Sequence, residues 1–181
     1  EKFVRCSFDI IGKLKTTVNN KSYILLIVEH ATKFLTACAL EEATSASIAE
    51  AFLNDYVFQF STPSELLTDN CAVNTSELMS EISEKFGIKQ RTIAVMHSAS
   101  LGQNERYNQV IADMLSKFTN EHGDNWCSIL KPLIHAVNTT IHSSLGYSSA
   151  YLMYGEIPRS IFDSIAGLPV SKYKEIENYV T

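Results

Sequence analysis

The order of strand-like and helix-like segments is the feature that most constrains the fold of this chain. Three apolar, strand-like segments joined by short connections come first, at residues 3–12, 23–28 and 34–40. Short connections are typical of antiparallel pairing. Two later strand-like segments, 65–68 and 88–93, enclose a helical pattern, and strands joined through a helix pair in parallel. The sequence therefore predicts an α/β fold: a mixed five-stranded sheet, antiparallel meander plus parallel strands, flanked by helices.

Helices are predicted where apolar residues recur at helical spacing behind a capping residue. Gly87 is the predicted stop of the second helix, because glycine readily adopts the left-handed conformation found at helix ends. A loop at 97–102 is predicted to precede the longest helix. The predicted caps are Thr44 or Ser45 for the first helix, Asn74 or Thr75 for the second, and Asp124 or Asn125 for the fourth. Residues 103–121 and 148–154 are the other predicted helical segments.

Length and composition fit a single globular domain. The 181 residues contain no apolar run near the ~18 that a membrane helix needs, so we expect no membrane association. No export signal is recognised at the start of the sequence. A net charge of −5 argues against a self-sufficient DNA-binding protein, because Lys and Arg normally supply most of the affinity for phosphates. It argues less against a catalytic core that other domains help to hold on DNA.

The four cysteines are far apart in the sequence. No Cys-x-x-Cys pair occurs, so the spacing predicts neither a zinc site nor a disulfide framework. We expect reduced and mostly buried thiols at Cys6, Cys38, Cys71 and Cys127.

Three acidic residues occupy positions where a nuclease-type fold presents metal ligands. Asp9 interrupts an apolar strand, Asp69 ends a short strand, and Glu105 opens the long helical pattern. Two divalent ions held by carboxylates can activate a nucleophile, neutralise a phosphate and stabilise a leaving oxygen. Asn108, Ala112 and Leu115 follow Glu105 at helical spacing, so we predict that these residues form one stripe that runs from the site into the packed interior.

Each carboxylate also has a simpler structural interpretation. The chain has 20 acidic residues, so a chosen spacing can arise by chance. Asp69 could be an ordinary turn residue, and Glu105 could be a favourable charge in the first turn of a helix. Asp9 is harder to explain this way, because an acid beside Phe8 and Ile10 costs stability unless it is paired or liganded.

The sequence resembles the integrase catalytic core of gypsy-type long-terminal-repeat retrotransposons, which is kin to retroviral integrases. The resemblance covers roughly residues 3–159 and rests on several motifs in the same order. These are Phe8-Asp9-Ile10-Ile11-Gly12, the paired strands starting at Tyr23 and Thr32, Thr68-Asp69-Asn70, the loop from His97 to Gly102, Glu105-Arg106-Tyr107-Asn108, Trp126, Asn138 to Ser148, and Leu152-Met153-Tyr154-Gly155.

The resemblance implies a ribonuclease-H-like fold with Asp9, Asp69 and Glu105 as catalytic ligands of two Mg²⁺ or Mn²⁺ ions. It implies an integrase, a polynucleotidyl transferase with nuclease activity, which trims the 3′ ends of retroelement DNA and transfers them into target DNA. Residues 1–160 would form the catalytic core, and residues 161–181 a C-terminal extension or the start of a linker. A homodimer, nuclear localisation and a possible host protein partner are also expected.

Four further residues are candidate DNA contacts: His97, Asn104, Arg106 and Asn108. Each could equally be a local structural residue. The sequence departs from the usual family pattern at Cys71-Ala72, where glycine is common, at Ser98, where proline is usual, and at Gln109, which is frequently basic. These departures affect expected DNA affinity more than metal binding.

Two other functions fit the sequence less closely. A host-adopted integrase core could act mainly as a dimerisation or protein-interaction module with weak or no catalysis, which the acidic composition favours. A ribonuclease-H-like nuclease that cleaves RNA or hybrids is the third interpretation.

Overall fold

A mixed five-stranded sheet forms the centre of the fold. The computed structural model describes residues 1–68, 76–92, 98–156 and 158, without the side chains of 92 and 98–104. The strand order is β3-β2-β1-β4-β5, with β1–β2 and β2–β3 antiparallel and β1–β4 and β4–β5 parallel. The mixed sheet predicted from the sequence is confirmed. The strands are β1 Arg5–Ile11, β2 Tyr23–Glu29, β3 Leu35–Leu40, β4 Glu65–Thr68 and β5 Lys89–Thr92.

Five α-helices are found in the described part of the chain. The first continues directly into a π-helical segment, Leu53–Val57. The helices are α1 Ser45–Phe52, α2 Glu77–Phe86, α3 Ser98–Phe118, α4 Trp126–Thr139 and α5 Ser149–Tyr154.

The helix ends show which capping predictions were right. Thr44 caps α1 and forms a reciprocal capping box with Ser47. Gly87 ends α2 at φ +67°, as predicted. The cap of α2 is Ser76, so the prediction of Asn74 or Thr75 was wrong by a residue or two.

The start of α3 differs from the prediction. The helix begins at Ser98, so the predicted loop up to Gly102 was wrong. Serine and glycine are weak helix formers, but propensity is a small effect that helical turns already anchored by packing can override. Here Tyr107, Ile111 and Leu115 anchor the helix. Glu105 therefore lies seven residues beyond the helix start (105 − 98), and the first-turn explanation of its charge no longer applies.

Each face of the sheet is covered by a different pair of helices. Cys6 and Phe8 point to the face that α1 and α2 cover, which we call the α1 face. Ile24, Leu26 and Val28 point to the opposite face, where α3 and α4 pack, which we call the α3 face. Since side chains alternate along a strand, Asp9 falls on the α3 face, as the sequence predicts.

Asn138 joins α4 to the edge strand β3. Its side chain accepts a hydrogen bond from the Leu35 N–H (2.9 Å) and donates one to the Leu35 carbonyl (2.8 Å). Both backbone groups of Leu35 that would otherwise lack a strand partner are thereby bonded, which protects this sheet edge.

The thiols agree with the prediction as far as the structure describes them. Cys6 and Cys38 are buried, Cys127 is partly buried, and all three are free; Cys71 lies outside the described residues. Burial raises the pKa of both the Cys6 and Cys38 thiols, so they stay protonated and unreactive. Among the described helices, none is long and apolar enough to cross a membrane.

Candidate active site

Asp9 lies near the middle of the sheet, on β1 opposite Leu26 of β2. Its side chain is partly exposed. Oδ1 accepts a hydrogen bond from the Ile10 N–H at 2.8 Å, and Oδ2 accepts one from Asn108 Nδ2 at 2.6 Å. The carboxylate is therefore held by its own strand and by α3, and it keeps acceptor capacity on both oxygens.

Gly12 lies just after β1 and has a conformation that other residues rarely adopt, with φ +142°. A Cβ built at this position would lie 2.8 Å from the Tyr23 Cδ1 atom. Glycine is therefore required where the chain leaves the strand that carries Asp9.

Glu105 is on the part of α3 that approaches β1. It precedes Asn108 by three residues, so the two side chains share one helix face about 4.5 Å apart along the axis. Because Asn108 contacts Asp9, this face of α3 is directed at the strand aspartate. Glu105 is exposed and makes no hydrogen bond or ion pair with the described residues.

The predicted stripe on α3 needs a correction. Ala112 is exposed, whereas Tyr107, Ile111 and Leu115 are buried. The buried stripe therefore starts one residue before Asn108, which leaves the Glu105–Asn108 face at the edge of the packed interior.

Several predicted site residues lie outside the part of the chain that the structure describes. Asp69 and His97 lie outside the described residues, and the side chain of Asn104 is also not described. β4 ends at Thr68, the residue before Asp69. Within the described part of the chain, no three His, Cys, Asp or Glu residues form a group that could hold a metal ion.

The chemistry of the located residues nevertheless suits a hard divalent cation. Asp9 and Glu105 contribute carboxylate oxygens, and the amide oxygen Oδ1 of Asn108 is buried without a hydrogen-bond partner among the described residues. A buried acceptor without a partner normally costs stability, so its presence next to Asp9 calls for a ligand or donor. Mg²⁺ and Mn²⁺ prefer such oxygen ligands, whereas thiolates and imidazoles are not found among these three side chains.

An apolar groove lies along α3 on the side that carries Arg106, Val110 and Met114. It has a volume of about 350 Å³ and is lined by side chains of α3, α4 and the segment after α4, including Arg106, Tyr107 and His142. The rings of Tyr107 and His142 lie 6.5 Å apart. Burial lowers the pKa of His142, and the positive charges of Arg106 and Lys33 lower it further. Lys33 was not predicted from the sequence, since nothing in its local pattern indicates this distant neighbour.

Solved structures with the same architecture define the class of fold, which is ribonuclease-H-like. The BIV integrase catalytic core is 20% identical, with a TM-score of 0.68 over 84% of this chain and 95% of that one. The HTLV-2 integrase catalytic core in complex with magnesium, in trimeric form, is 19% identical, with a TM-score of 0.65 over 84% and 97%. A dimeric form of that core is also similar.

A chain of one larger assembly has the same fold. The simian T-cell lymphotropic virus intasome in complex with PP2A regulatory subunit B56 gamma contains a chain that is 17% identical, with a TM-score of 0.65, covering 96% of this chain and 59% of that one.

Several curated proteins are similar in sequence to the chain, and no family model matches it. The retrovirus-related Pol polyprotein from transposon 412 of Drosophila melanogaster is 20% identical over 153 residues, which are 84% of this chain and 12% of the relative. Gypsy retrotransposon integrase-like protein 1 of Pongo abelii is 26% identical over 133 residues, 73% of this chain and 25% of the relative. The predicted kinship with gypsy-type integrase cores is confirmed. The chain spans a quarter or less of these relatives.

Proposed function

We propose that this chain is a catalytic core that carries out two-metal phosphoryl transfer on DNA, with Asp9, Asp69 and Glu105 as metal ligands. Its integrase-type homologues support the general class. The observation that carries the proposal is the 2.6 Å contact between Asp9 Oδ2 and Asn108 Nδ2, because it brings the Glu105 face of α3 to the strand aspartate.

The strand register supports a role for Asp69. β1 and β4 run parallel, with Arg5 opposite Glu65, Cys6 opposite Leu66 and Ser7 opposite Leu67. β4 ends at Thr68, and Asp69 is the next residue in the sequence. We propose that it acts together with Asp9, the carboxylate of the strand that pairs with β4.

Each residue has a distinct task in the proposed reaction. Asp9, held by the Ile10 N–H and Asn108, keeps free acceptor positions on both oxygens, and Glu105 is carried by the helix that contacts it. Two bound Mg²⁺ or Mn²⁺ ions would supply charge neutralisation at the phosphate and a lowered pKa for the attacking water. Arg106 next to Glu105 would bind a phosphate oxygen by charge-assisted hydrogen bonds. We propose the same phosphate-binding role for His97 and Asn104.

The proposed substrates are retroelement-end DNA and target DNA. In the first reaction water cleaves a phosphodiester near the 3′ end, and in the second the new 3′ hydroxyl attacks a target phosphodiester as the bridging 3′ oxygen leaves. The magnesium complex of the HTLV-2 core supports the choice of cofactor.

We also propose that the protein forms a homodimer, binds a host protein and acts in the nucleus. Dimeric and trimeric forms of the HTLV-2 core and the intasome complexed with a PP2A subunit support the first two. Sedimentation that finds only monomers at high protein concentration would contradict the homodimer.

The decisive experiment compares the chain with Glu105→Gln on branched DNA that contains joined element and target ends. Nicking and strand-transfer products are measured with Mn²⁺ or Mg²⁺, and the variant is expected to lose at least about a hundredfold in rate. Glu121→Gln is the matched control, because Glu121 is also exposed but lies beyond the end of α3.

Equal rates for wild type and Glu105→Gln, with both proteins folded, would overturn the proposed role of Glu105. Absence of product from both proteins, together with no Mn²⁺ binding, would overturn the catalytic proposal itself.

A further inference from the structure

Two arginines, on β1 and β5, share one carboxylate of the strand between them, β4, on the α3 face. Arg5 donates two hydrogen bonds to Glu65 Oε2, from Nε at 2.8 Å and from a terminal nitrogen at 2.6 Å. Arg91 Nε donates to Glu65 Oε1 at 2.8 Å. The Arg5 and Arg91 side chains are 48% and 58% exposed. Two cations share one anion, so this cluster keeps a net positive charge, and Glu65 fixes both guanidinium groups in place.

Beyond Arg5, the next side chain along this face is His30, in the turn after β2. His30 Nε2 lies 2.9 Å from Ser7 Oγ, and the His30 N–H donates to the Arg5 carbonyl at 3.0 Å. The pKa of His30 is lowered by burial and then by the charges of Lys33 and Arg5, which outweigh the opposite effect of Glu29. His30 therefore lies between two permanent cations.

Lys33 connects this turn to the candidate active site. The Lys33 N–H donates to the Glu29 carbonyl, and Lys33 lies two residues before Leu35, which is hydrogen-bonded to Asn138 near the end of α4. The charge of Lys33 lowers the pKa of both His30 and His142. His142 is also affected by Arg106, which directly follows Glu105. Arg106 and His142 line the same groove. The four permanent cations Arg91, Arg5, Lys33 and Arg106 thus form a row from β5 to α3, which we call the cationic belt. His30 and His142, whose pKa values are lowered, lie between them.

We propose that the cationic belt binds the phosphate backbone of DNA and leads it to the Glu105 face of α3. The chain carries 20 acidic and 15 basic residues, so a row of four cations is an exception on this surface. Arg5 and Asp9 point to the same face of β1, four residue steps or about 13 Å apart along the strand. This proposal rests on the proposed function, because it concerns the path of the same substrate.

The shape and chemistry of the belt favour a polyanion over a small anion. Four permanent cations on three separate elements and a turn are too dispersed to enclose one phosphate. A duplex presents one negative charge for every ~1.7 Å of its axis, so it can contact such a row at several points together. Arginine is also suited to phosphate, because its planar fork of N–H donors matches two phosphate oxygens.

The first test removes two belt charges without disturbing the Glu65 ion pairs. Lys33→Gln/Arg106→Gln is compared with wild type for binding to a 20-base-pair duplex in EDTA, at several NaCl concentrations. The slope of log K against log [salt] is expected to become shallower by about 1.8, since each lost phosphate contact contributes about 0.9. The control Lys85→Gln/Lys117→Gln also loses two exposed charges, near the ends of α2 and α3, and is expected to keep the wild-type slope.

The second test is designed to strengthen DNA binding instead of weakening it. Glu65→Gln removes the anion that neutralises Arg5 and Arg91, so DNA binding is expected to tighten severalfold. The slope is expected to steepen by up to about 0.9 as one further phosphate contact forms. A general loss of folding would weaken binding instead, so a gain cannot result from damage to the protein. The matched control is Glu42→Gln, which removes an exposed carboxylate outside the belt.

Equal slopes for the belt and control double variants would overturn the proposal, because binding would then depend on total charge. Equal competition by poly-glutamate and DNA would also overturn it and would assign the belt to an acidic protein segment. The binding assays contain EDTA, so they do not depend on metal ligands at Asp9 and Glu105. Loss of catalysis with retained belt-dependent binding would contradict only the proposed function.

Discussion

The end of β2, where the chain enters a turn, and the middle of β1 each hold a carboxylate next to buried apolar residues. The two carboxylates differ in how many hydrogen bonds they accept. Glu29 is completely buried; its Oε1 accepts from the Ala31 N–H (3.1 Å), and its Oε2 accepts from the N–H (2.7 Å) and hydroxyl (2.6 Å) of Thr32. Asp9 is partly exposed and accepts two hydrogen bonds. A fully bonded buried carboxylate stabilises the fold, whereas one with outward acceptor positions can bind a ligand.

The largest effect expected from this difference is on stability. Glu29→Gln places an amide NH₂ where one oxygen accepted hydrogen bonds, so at least one buried donor loses its partner. We expect unfolding free energy to fall by about 3 kcal/mol, measured by urea denaturation. Glu50→Gln, at an exposed position on α1, is the control and is expected to change it by less than about 0.5 kcal/mol.

Asp9→Asn in the same denaturation assay sharpens the comparison. Its expected change is below about 1 kcal/mol, because Asp9 remains in contact with solvent. Equal destabilisation by Glu29→Gln and Asp9→Asn would show that both carboxylates are structural.

The second prediction concerns the partner of Asp9. Asn108→Ala removes the side chain that donates to Asp9 Oδ2 and carries the buried oxygen without a partner. We expect Mn²⁺ affinity, measured by titration calorimetry, to weaken tenfold to a hundredfold, because groups that orient metal ligands typically have effects of this size. Stability is expected to change by only about 1 kcal/mol.

Asn54→Ala is the matched control for Asn108→Ala, since Asn54 is an exposed asparagine in the π-helical segment. Unchanged Mn²⁺ affinity in Asn108→Ala would mean that the Asp9–Asn108 contact serves packing alone.

Much of the sheet could be predicted from the sequence because its signals are local. Alternation along β1 assigned Asp9 and Cys6 to opposite faces, and the segment 65–68 matches β4 to the residue. The start of α3 could not be predicted, because Ser98 and Gly102 resemble loop residues when packing further along the helix is unknown. Ala112 was wrongly placed in the buried stripe for a related reason: spacing gives a helix period but not its rotation against the sheet.

The candidate site was predictable only in part. The motif around Glu105 indicated that Asn108 belongs near the site, and the contact with Asp9 gives it a physical role. The proximity of Lys33 to His30 and His142 depends on tertiary packing between a turn and a segment after α4, so no local pattern could predict it. The convergence of Asp69 with Asp9 and Glu105 stays a prediction.

The smallest expected effect is a pH dependence that comes from the same turn as Glu29. Burial, Lys33 and Arg5 lower the pKa of His30 from 6.5 to about 4, so between these values the unfolded chain binds more protons than the folded protein. The stability that neutral His30 contributes is complete above pH 6.5 and is lost as the pH falls towards 4. Since solvent screens part of the effect, we expect a loss on the order of 1 kcal/mol, measured by urea denaturation across this range. His30→Gln should remove that part of the pH dependence, whereas His122→Gln, at an exposed position, should retain it. Identical profiles for His30→Gln and wild type would show that His30 titrates normally, and the cations beside this turn would then be too far away to disfavour its protonation.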